Sequence, residues 1–67
     1  MNNYQSRVRV ERLELDFKLE NLRHFFDNPI YAKLHPNEQA RLQSQAAIMQ
    51  QYIAILDQRI HVFDHGE

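Results

Sequence analysis

Each of the two long helices that the sequence predicts carries two apolar stripes, and a single helix partner can cover only one stripe of each. At about 100° per residue, the apolar residues of the first stretch separate into two sets on nearly opposite sides of a helix. The main stripe consists of Val8, Leu15, Leu19, Leu22 and Phe26. The second stripe consists of Val10, Leu13 and Phe17. A simple two-helix hairpin would therefore leave apolar side chains in water.

The second long stretch repeats this surplus. Its main stripe consists of Leu42, Ala46, Met49, Ile53, Leu56, Ile60 and Phe63. On another face, Ile48, Ile55 and Val62 follow one another at heptad spacing, which is typical of coiled coils. We therefore expect an all-α fold, an antiparallel two-helix hairpin with a short helical connector that assembles into a homo-oligomeric bundle. The second stripes are the expected interface with sister subunits or a partner, and the spacing leaves the number of subunits open.

Length and composition favour a single small domain. A chain of 67 residues builds one core, which supplies only about 3 to 5 kcal/mol of stability. Because the chain has no cysteine, disulfides and cysteine zinc sites are excluded as further support. A formal net charge of -1 gives no overall attraction to nucleic acid or an anionic membrane. No apolar run approaches the about 20 residues of a transmembrane helix, and we expect a soluble, cytoplasmic protein.

Local signals predict where the elements of this domain begin and end. The predicted order is a helix over about 4–27, a connector over 28–35, a helix over about 36–63 and a frayed tail over 64–67. The first helix should end before Pro29, because the residue preceding a proline is disfavoured in the helical region. Pro36 suits the first position of the second helix, with His35 as an unusual N-cap.

The connector is too apolar for a free loop. It contains Ile30, Tyr31 and Leu34. Exposed connecting segments are ordinarily polar, so these residues predict a short helical turn that packs down over the end of the hairpin.

Polar and aromatic groups converge at the open end of the hairpin, away from the connector. The residues are Tyr4, Arg7, Glu11, Tyr52, Arg59 and His61. Two arginines and two tyrosines, Tyr4, Arg7, Tyr52 and Arg59, could bind an anionic ligand that carries a ring, through charge-assisted hydrogen bonds and stacking. The alternative is structural. Arg7 and Glu11 would then be an i,i+4 ion pair, and the Tyr52 hydroxyl would bind a neighbouring carboxylate.

No residues have the spacing of a catalytic or metal site. His61 and His65 are four residues apart, as in helical metal sites, but His65 is expected in the tail and a third ligand is lacking. The acidic residues of the first helix alternate with Arg and Lys, as on a solvated, ion-paired surface. Ser6 and Ser44 lie outside any nucleophile-elbow context. We expect no enzyme activity, no metal and no cofactor.

The order of apolar and polar positions resembles that of a family of small helical phage and prophage proteins, mostly of unknown function. The positions are Tyr4, Arg7, Val8, Glu11, Leu15, Leu19, Leu22, Phe25, Phe26, Leu34, Glu38, Leu42, Gln45, Met49, Tyr52, Leu56 and Arg59. The likeness covers nearly the whole chain. It implies a viral accessory protein, made during infection and absent from the virion structure, that acts in the host cytoplasm by stoichiometric binding.

Two modes of binding fit this implication. The leading hypothesis is an inhibitor that blocks a host antiviral defence protein, with Val10, Leu13 and Phe17 as its anchor. The alternative is an oligomeric sponge that sequesters a nucleotide signal of that defence at the open end. A third hypothesis is a self-assembly module without a ligand. Neither a membrane nor a nucleic acid is an expected partner.

Overall fold

The computed structural model describes residues 3–67 as two long helices and a short one between them. Helix α1 spans Tyr4–Phe25, α2 spans Pro29–Ala32 and α3 spans Pro36–His65. The long helices α1 and α3 pack side by side in opposite directions. The described residues contain no strand, and the predicted all-helical fold with a long helix pair is confirmed. No helix within residues 3–67 is long and apolar enough to cross a membrane.

A side chain caps the N-terminus of every helix. The Asn3 side chain accepts a hydrogen bond from the Ser6 N–H at 2.9 Å. The Asn28 side chain accepts from the Ile30 N–H at 2.8 Å. At α3 the Nδ1 of His35 accepts from the Asn37 N–H at 3.0 Å, so the expected histidine cap is confirmed. Each cap satisfies a backbone donor that has no partner inside its helix.

The helix ends differ by about two residues from the sequence prediction. Helix α1 ends at Phe25, because the backbone turns ahead of Pro29. Helix α3 continues to His65, which the sequence prediction had placed in the tail. Gly66 then adopts a φ of 80° and donates its N–H to the Val62 carbonyl at 2.8 Å. A positive φ is strained for other residue types, so the glycine sets the end of the helix.

The core is one seam between α1 and α3. Its buried side chains are Val8, Leu19, Ile53 and Leu56. Leu56 is 0% exposed, whereas much of the remaining main stripes is only half-buried. This seam fixes the rotation of each helix about its axis and so decides which residues reach the surface together.

The connector is tied to both long helices by Tyr31. Its ring lies with its centroid 5.9 Å from that of Phe25 and 5.0 Å from that of Phe26. Its hydroxyl accepts from the Gln43 side chain at 2.7 Å, and its carbonyl accepts from the Gln39 side chain at 2.8 Å. The predicted helical turn over the hairpin end is therefore present.

The prediction was wrong for one residue of this turn. Ile30 is 60% exposed, whereas Tyr31 and Leu34 are half-buried. A single helical turn offers one narrow inward side, which Tyr31 occupies, so Ile30 points to solvent.

Replacement of Leu56 by alanine should lower the free energy of unfolding by about 2 to 5 kcal/mol, because it removes buried methyl groups and leaves a cavity. In a domain of this size that loss is comparable with the whole stability. The exposed Ile30→Ala is the control and should change the unfolding free energy by less than about 0.5 kcal/mol. Urea denaturation followed by circular dichroism at one protein concentration measures both variants. Equal losses would contradict the placement of the core.

Candidate functional site

One broad side of the helix pair is held by ion pairs and hydrogen bonds between the helices. We call it the paired face; its residues are Arg9, Arg12, Arg23, Gln50, Asp57 and Asp64. Arg9 and Asp64 are joined at 2.6 Å, Arg12 and Asp57 at 2.8 Å. The side-chain hydrogen bond to Asp57 raises the pKa of Arg12. The guanidiniums of this face are thereby engaged by the protein itself.

The opposite broad side carries a different set of groups. We call it the tyrosine face; its residues are Arg7, Glu11, Tyr52 and Arg59. Arg7 and Glu11 are four residues apart on α1, and Tyr52 and Arg59 are seven apart on α3, so each pair lies on one side of its helix. The Tyr52 hydroxyl donates a hydrogen bond to the Glu11 carboxylate and joins the two helices.

The bond between Tyr52 and Glu11 settles part of the sequence interpretation. The expected bond from the Tyr52 hydroxyl to a carboxylate is present. Among residues 3–67 no ion pair forms between Arg7 and Glu11. The hydrogen bond to Glu11 raises the pKa of the Tyr52 phenol above its ordinary value of 10.0, with a smaller opposing effect from the nearby charge of Arg59. Arg59 is therefore close enough to act on the Tyr52 ring.

The two remaining guanidiniums have no anionic partner in this part of the chain. Within residues 3–67, Arg9, Arg12 and Arg41 each form an ion pair and Arg23 donates a hydrogen bond to Gln50, but Arg7 and Arg59 form neither kind of side-chain contact. Both side chains are exposed. Arg7 also lines an open hollow beside α1, together with Ser6, Val10, Glu11 and Glu14. An anion that reached this side of the hairpin would find two cationic groups that are not already neutralised.

Tyr4 lies one helical turn farther along α3 than expected. In an antiparallel hairpin joined over residues 28–35, the residue numbers predict that Tyr4 lies near Arg59, whereas its ring meets that of Phe63 edge-on at a centroid distance of 5.4 Å. The ring is still 55% exposed. Tyr4 therefore stands at the open end of the hairpin, beyond the bond that joins Tyr52 to Glu11.

The second apolar stripes are largely uncovered. Besides the ring of Tyr4, the exposed large apolar side chains of α1 are Val10, Leu13 and Phe17. Those of α3 are Ile48 and Ile55, together with the ring of Tyr52. Phe17 is 69% exposed and Ile48 is 64% exposed. Val62, the sixth residue of the expected interface, is half-buried. The hairpin therefore leaves on its surface most of the apolar groups that the sequence analysis assigned to an interface.

The histidines do not assemble into a metal site. His61 and His65 both lie on α3 with ring centroids 4.5 Å apart. No group of three potential metal ligands forms among residues 3–67. His24 contacts the Glu20 carboxylate at 3.2 Å on the exposed surface of α1. Neither pair lies on the tyrosine face.

Sequence reasoning missed the pairing that distinguishes the two faces. The alternating charges of α1 predict a solvated surface, whereas Arg9 and Arg12 reach across to acids of α3. Glu11 was placed at the open end but not among the ligand-binding residues, although it holds Tyr52. The sequence did contain a signal for this pairing. The charged residues of the paired face and of the tyrosine face both flank the main apolar stripes, at positions where charges commonly pair between helices.

The fold and this site define a small helical hairpin with one self-paired face and one face that carries free guanidiniums and a tethered tyrosine. Over residues 2–62 the chain matches the family described as Sequestin. The chain therefore belongs to the Sequestin family. No curated protein and no solved structure shows a significant match to it.

Loss of the Glu11 charge should return the titration of Tyr52 to normal. The Tyr52 hydroxyl should remain protonated above pH 10.0. The stability that its bond contributes is complete below the unfolded phenol pKa of about 10 and is lost as the pH rises through the higher folded-state pKa. In Glu11→Gln the acceptor is neutral, so the pKa of Tyr52 should fall towards 10.0. The measurement is tyrosinate absorbance against pH, with Tyr52→Phe subtracted to remove Tyr4 and Tyr31.

The control for this titration is Glu14→Gln, which removes the same charge less than one turn further along α1. It should leave the pKa of Tyr52 raised, because Glu11 is the side chain that accepts the phenol hydrogen bond. The same shift in both variants would mean that general charge, not the hydrogen bond, sets the titration.

Proposed function

We propose that this chain is a non-enzymatic sequestering protein that binds a nucleotide signal stoichiometrically and so withholds it from a host antiviral defence. The name of its family denotes sequestration. The observation that carries the proposal is the pair of guanidiniums on the tyrosine face. Arg7 and Arg59 have no ion-pair partner within residues 3–67. The charge of Arg59 lies close enough to Tyr52 to act on the pKa of its phenol.

The chemistry of these groups fits a ligand with a phosphate and a flat ring. Guanidiniums bind phosphate oxygens through charge-assisted hydrogen bonds, often in bidentate geometry. Phenol rings offer a surface on which a base stacks. Glu11 holds the Tyr52 hydroxyl before any ligand arrives, which reduces the entropy lost on binding. Tyr4, at the open end, supplies a second exposed ring.

The biological setting of the proposal is a phage infection. It follows from the resemblance to small phage and prophage proteins seen in the sequence. In this setting the protein acts in the host cytoplasm, where a nucleotide signal produced by a defence enzyme would be captured before it reached its receptor. Capture needs no bond to break, so we propose that the ligand is released unchanged when the protein unfolds.

Binding is tested by thermal shift with a panel of cyclic and linear mono- and dinucleotides. A ligand that binds only the native state stabilises it, by about 2.7 kcal/mol at a hundred times its Kd. At least one nucleotide should therefore raise the Tm in a concentration-dependent way. Separate samples with inorganic phosphate and with the matching nucleoside should raise it much less, because each lacks one of the two recognised groups. Chromatography of the ligand after denaturation should recover it intact.

The matched variants for this experiment each remove one positive charge. Arg7→Gln and Arg59→Gln should each weaken binding by about tenfold to a hundredfold, the value of one or more charge-assisted hydrogen bonds. Arg23→Gln is the control, because Arg23 lies on the paired face and binds Gln50. It should retain the wild-type affinity. A flat Tm across the panel, or equal losses in all three variants, would refute nucleotide sequestration at this face.

The second candidate function is the block of a host defence protein. The observation that favours it is the α1 stripe of Val10, Leu13 and Phe17, which the hairpin leaves exposed. A contiguous apolar stripe on one helix is the usual anchor of a helix that docks into a groove. Charged residues flank the stripe, as in the polar rim of many protein interfaces.

Leu13→Asp tests the protein-blocking function. It should abolish capture of a defence protein in a pull-down, because it buries a charge at the centre of the anchor. Leu13 is exposed in the hairpin, so helicity by circular dichroism should be unchanged. Glu20→Gln on the same helix is the control and should capture as the wild type does. Capture that survives Leu13→Asp would exclude this stripe as the anchor.

A further inference from the structure

The hairpin is a single layer of helices. Its principal extents are 46 × 23 × 14 Å, and its radius of gyration is 15.3 Å. A compact chain of this length would have a radius of gyration of about 11 Å. Stable domains are built from at least two packed layers around a core. The shape therefore indicates that one flank of the layer packs against something else.

The amount of exposed area agrees with this conclusion. The chain exposes 5305 Å², whereas a compact monomer of its mass would expose about 4,500 Å². The excess is about 800 Å², which is the area that each partner loses in an interface of standard size. If the chain formed one interface of standard size with a second copy, its exposed area would fall to that of a compact monomer of the same mass.

The centre of α3 has the composition of an interface core. Residues 42–56 contain no charged residue, in a chain of which 25% is charged. Ile48, Tyr52 and Ile55 follow one another along its exposed side. The residues around them are alanines, glutamines and serine. Interface cores are depleted of charge, and uncharged side chains lose far less free energy on burial than charged ones.

The α1 stripe is unsuited to the same role. Leu13 and Phe17 are exposed, but Arg9, Glu14 and Asp16 alternate with them along the helix. A second copy packed there would bury these charges or bring like charges together, which opposes association. The charge-free centre of α3 is therefore the better surface for contact with an identical chain.

We propose that two copies of this chain associate through α3, with Ile48 and Ile55 at the contact and the two helices antiparallel about a twofold axis near Gln51. In a parallel pair equivalent residues face each other, so Arg59 would oppose Arg59. In the antiparallel pair centred near Gln51, Arg59 lies level with Ser44 of the second copy. Twofold dimers with self-complementary contacts are the commonest assemblies. This inference does not depend on nucleotide binding.

The absence of cysteine from the chain allows a direct test of the orientation. Gln51→Cys should form a disulfide-linked dimer on mild oxidation, because its two copies lie near the axis within the about 7 Å that a disulfide can span. Gln58→Cys should not, because its two copies would be separated by about 20 Å along the antiparallel helices. Equal crosslinking of both variants would show a parallel pair and overturn the arrangement.

The contact itself is tested by native mass at two protein concentrations without ligand. The wild type and Phe17→Glu should be dimers, whereas Ile55→Glu should be a monomer. Ile55 is exposed in the single chain, and Ile55→Ala gives a milder variant should the charged one fail to fold. Its dissociation constant should rise about tenfold. A monomeric wild type, or a dimer that Phe17→Glu breaks and Ile55→Ala leaves intact, would overturn the proposal.

Discussion

The seam between α1 and α3 is the constraint on which the rest of the structure depends. Among residues 3–67, the side chains buried in it are those of Val8, Leu19, Ile53 and Leu56. Because apolar burial contributes about 25 cal/mol per Å², so small a core leaves little excess stability. The seam nevertheless fixes the rotation of each helix about its axis. The rotation places acids and bases opposite one another on the paired face and leaves the tyrosine face with free arginines.

The paired face and the tyrosine face differ in how their arginines are held. On the paired face the guanidiniums of Arg9 and Arg12 are held by carboxylates of α3. These ion pairs are exposed, so each contributes modestly to stability, but together they favour one register of the helices. On the tyrosine face one hydrogen bond joins the helices, and the cationic groups are available to a ligand. The arginines of the paired face therefore contribute to the fold, whereas Arg7 and Arg59 on the tyrosine face have no ion pair within residues 3–67.

Much of the fold follows from local sequence signals. The two helices follow from apolar spacing, the break between them from Pro29, and the His35 cap from the proline after it. The bond from Tyr52 to a carboxylate was likewise within reach of the sequence. Each of these depends on residues close in the chain or on a simple antiparallel arrangement.

The pairing across the helices could not be predicted in the same way. Which acid meets Arg12 depends on the axial register and rotation of two helices, and a shift of one turn changes every partner. The displacement of Tyr4 from Arg59 to Phe63 is such a shift. The outward direction of Ile30 depends likewise on Tyr31 taking the inward side of a single turn. The sequence alone therefore predicted the elements better than the membership of the site.

The unequal anchoring of the two ends of the hairpin has a dynamic consequence. At one end Tyr31 is bound to Gln39 and Gln43 and packs against two phenylalanines. At the other end the helices are joined by the exposed Arg9–Asp64 pair and the edge contact of Tyr4 with Phe63. Local opening free energies are lowest where contacts are few and exposed. The tips of the helices beyond the buried Val8 and Leu56 should therefore open and reclose first. Arg7 and Arg59 border these tips, so an anion that bridged them would act as a clamp on that motion.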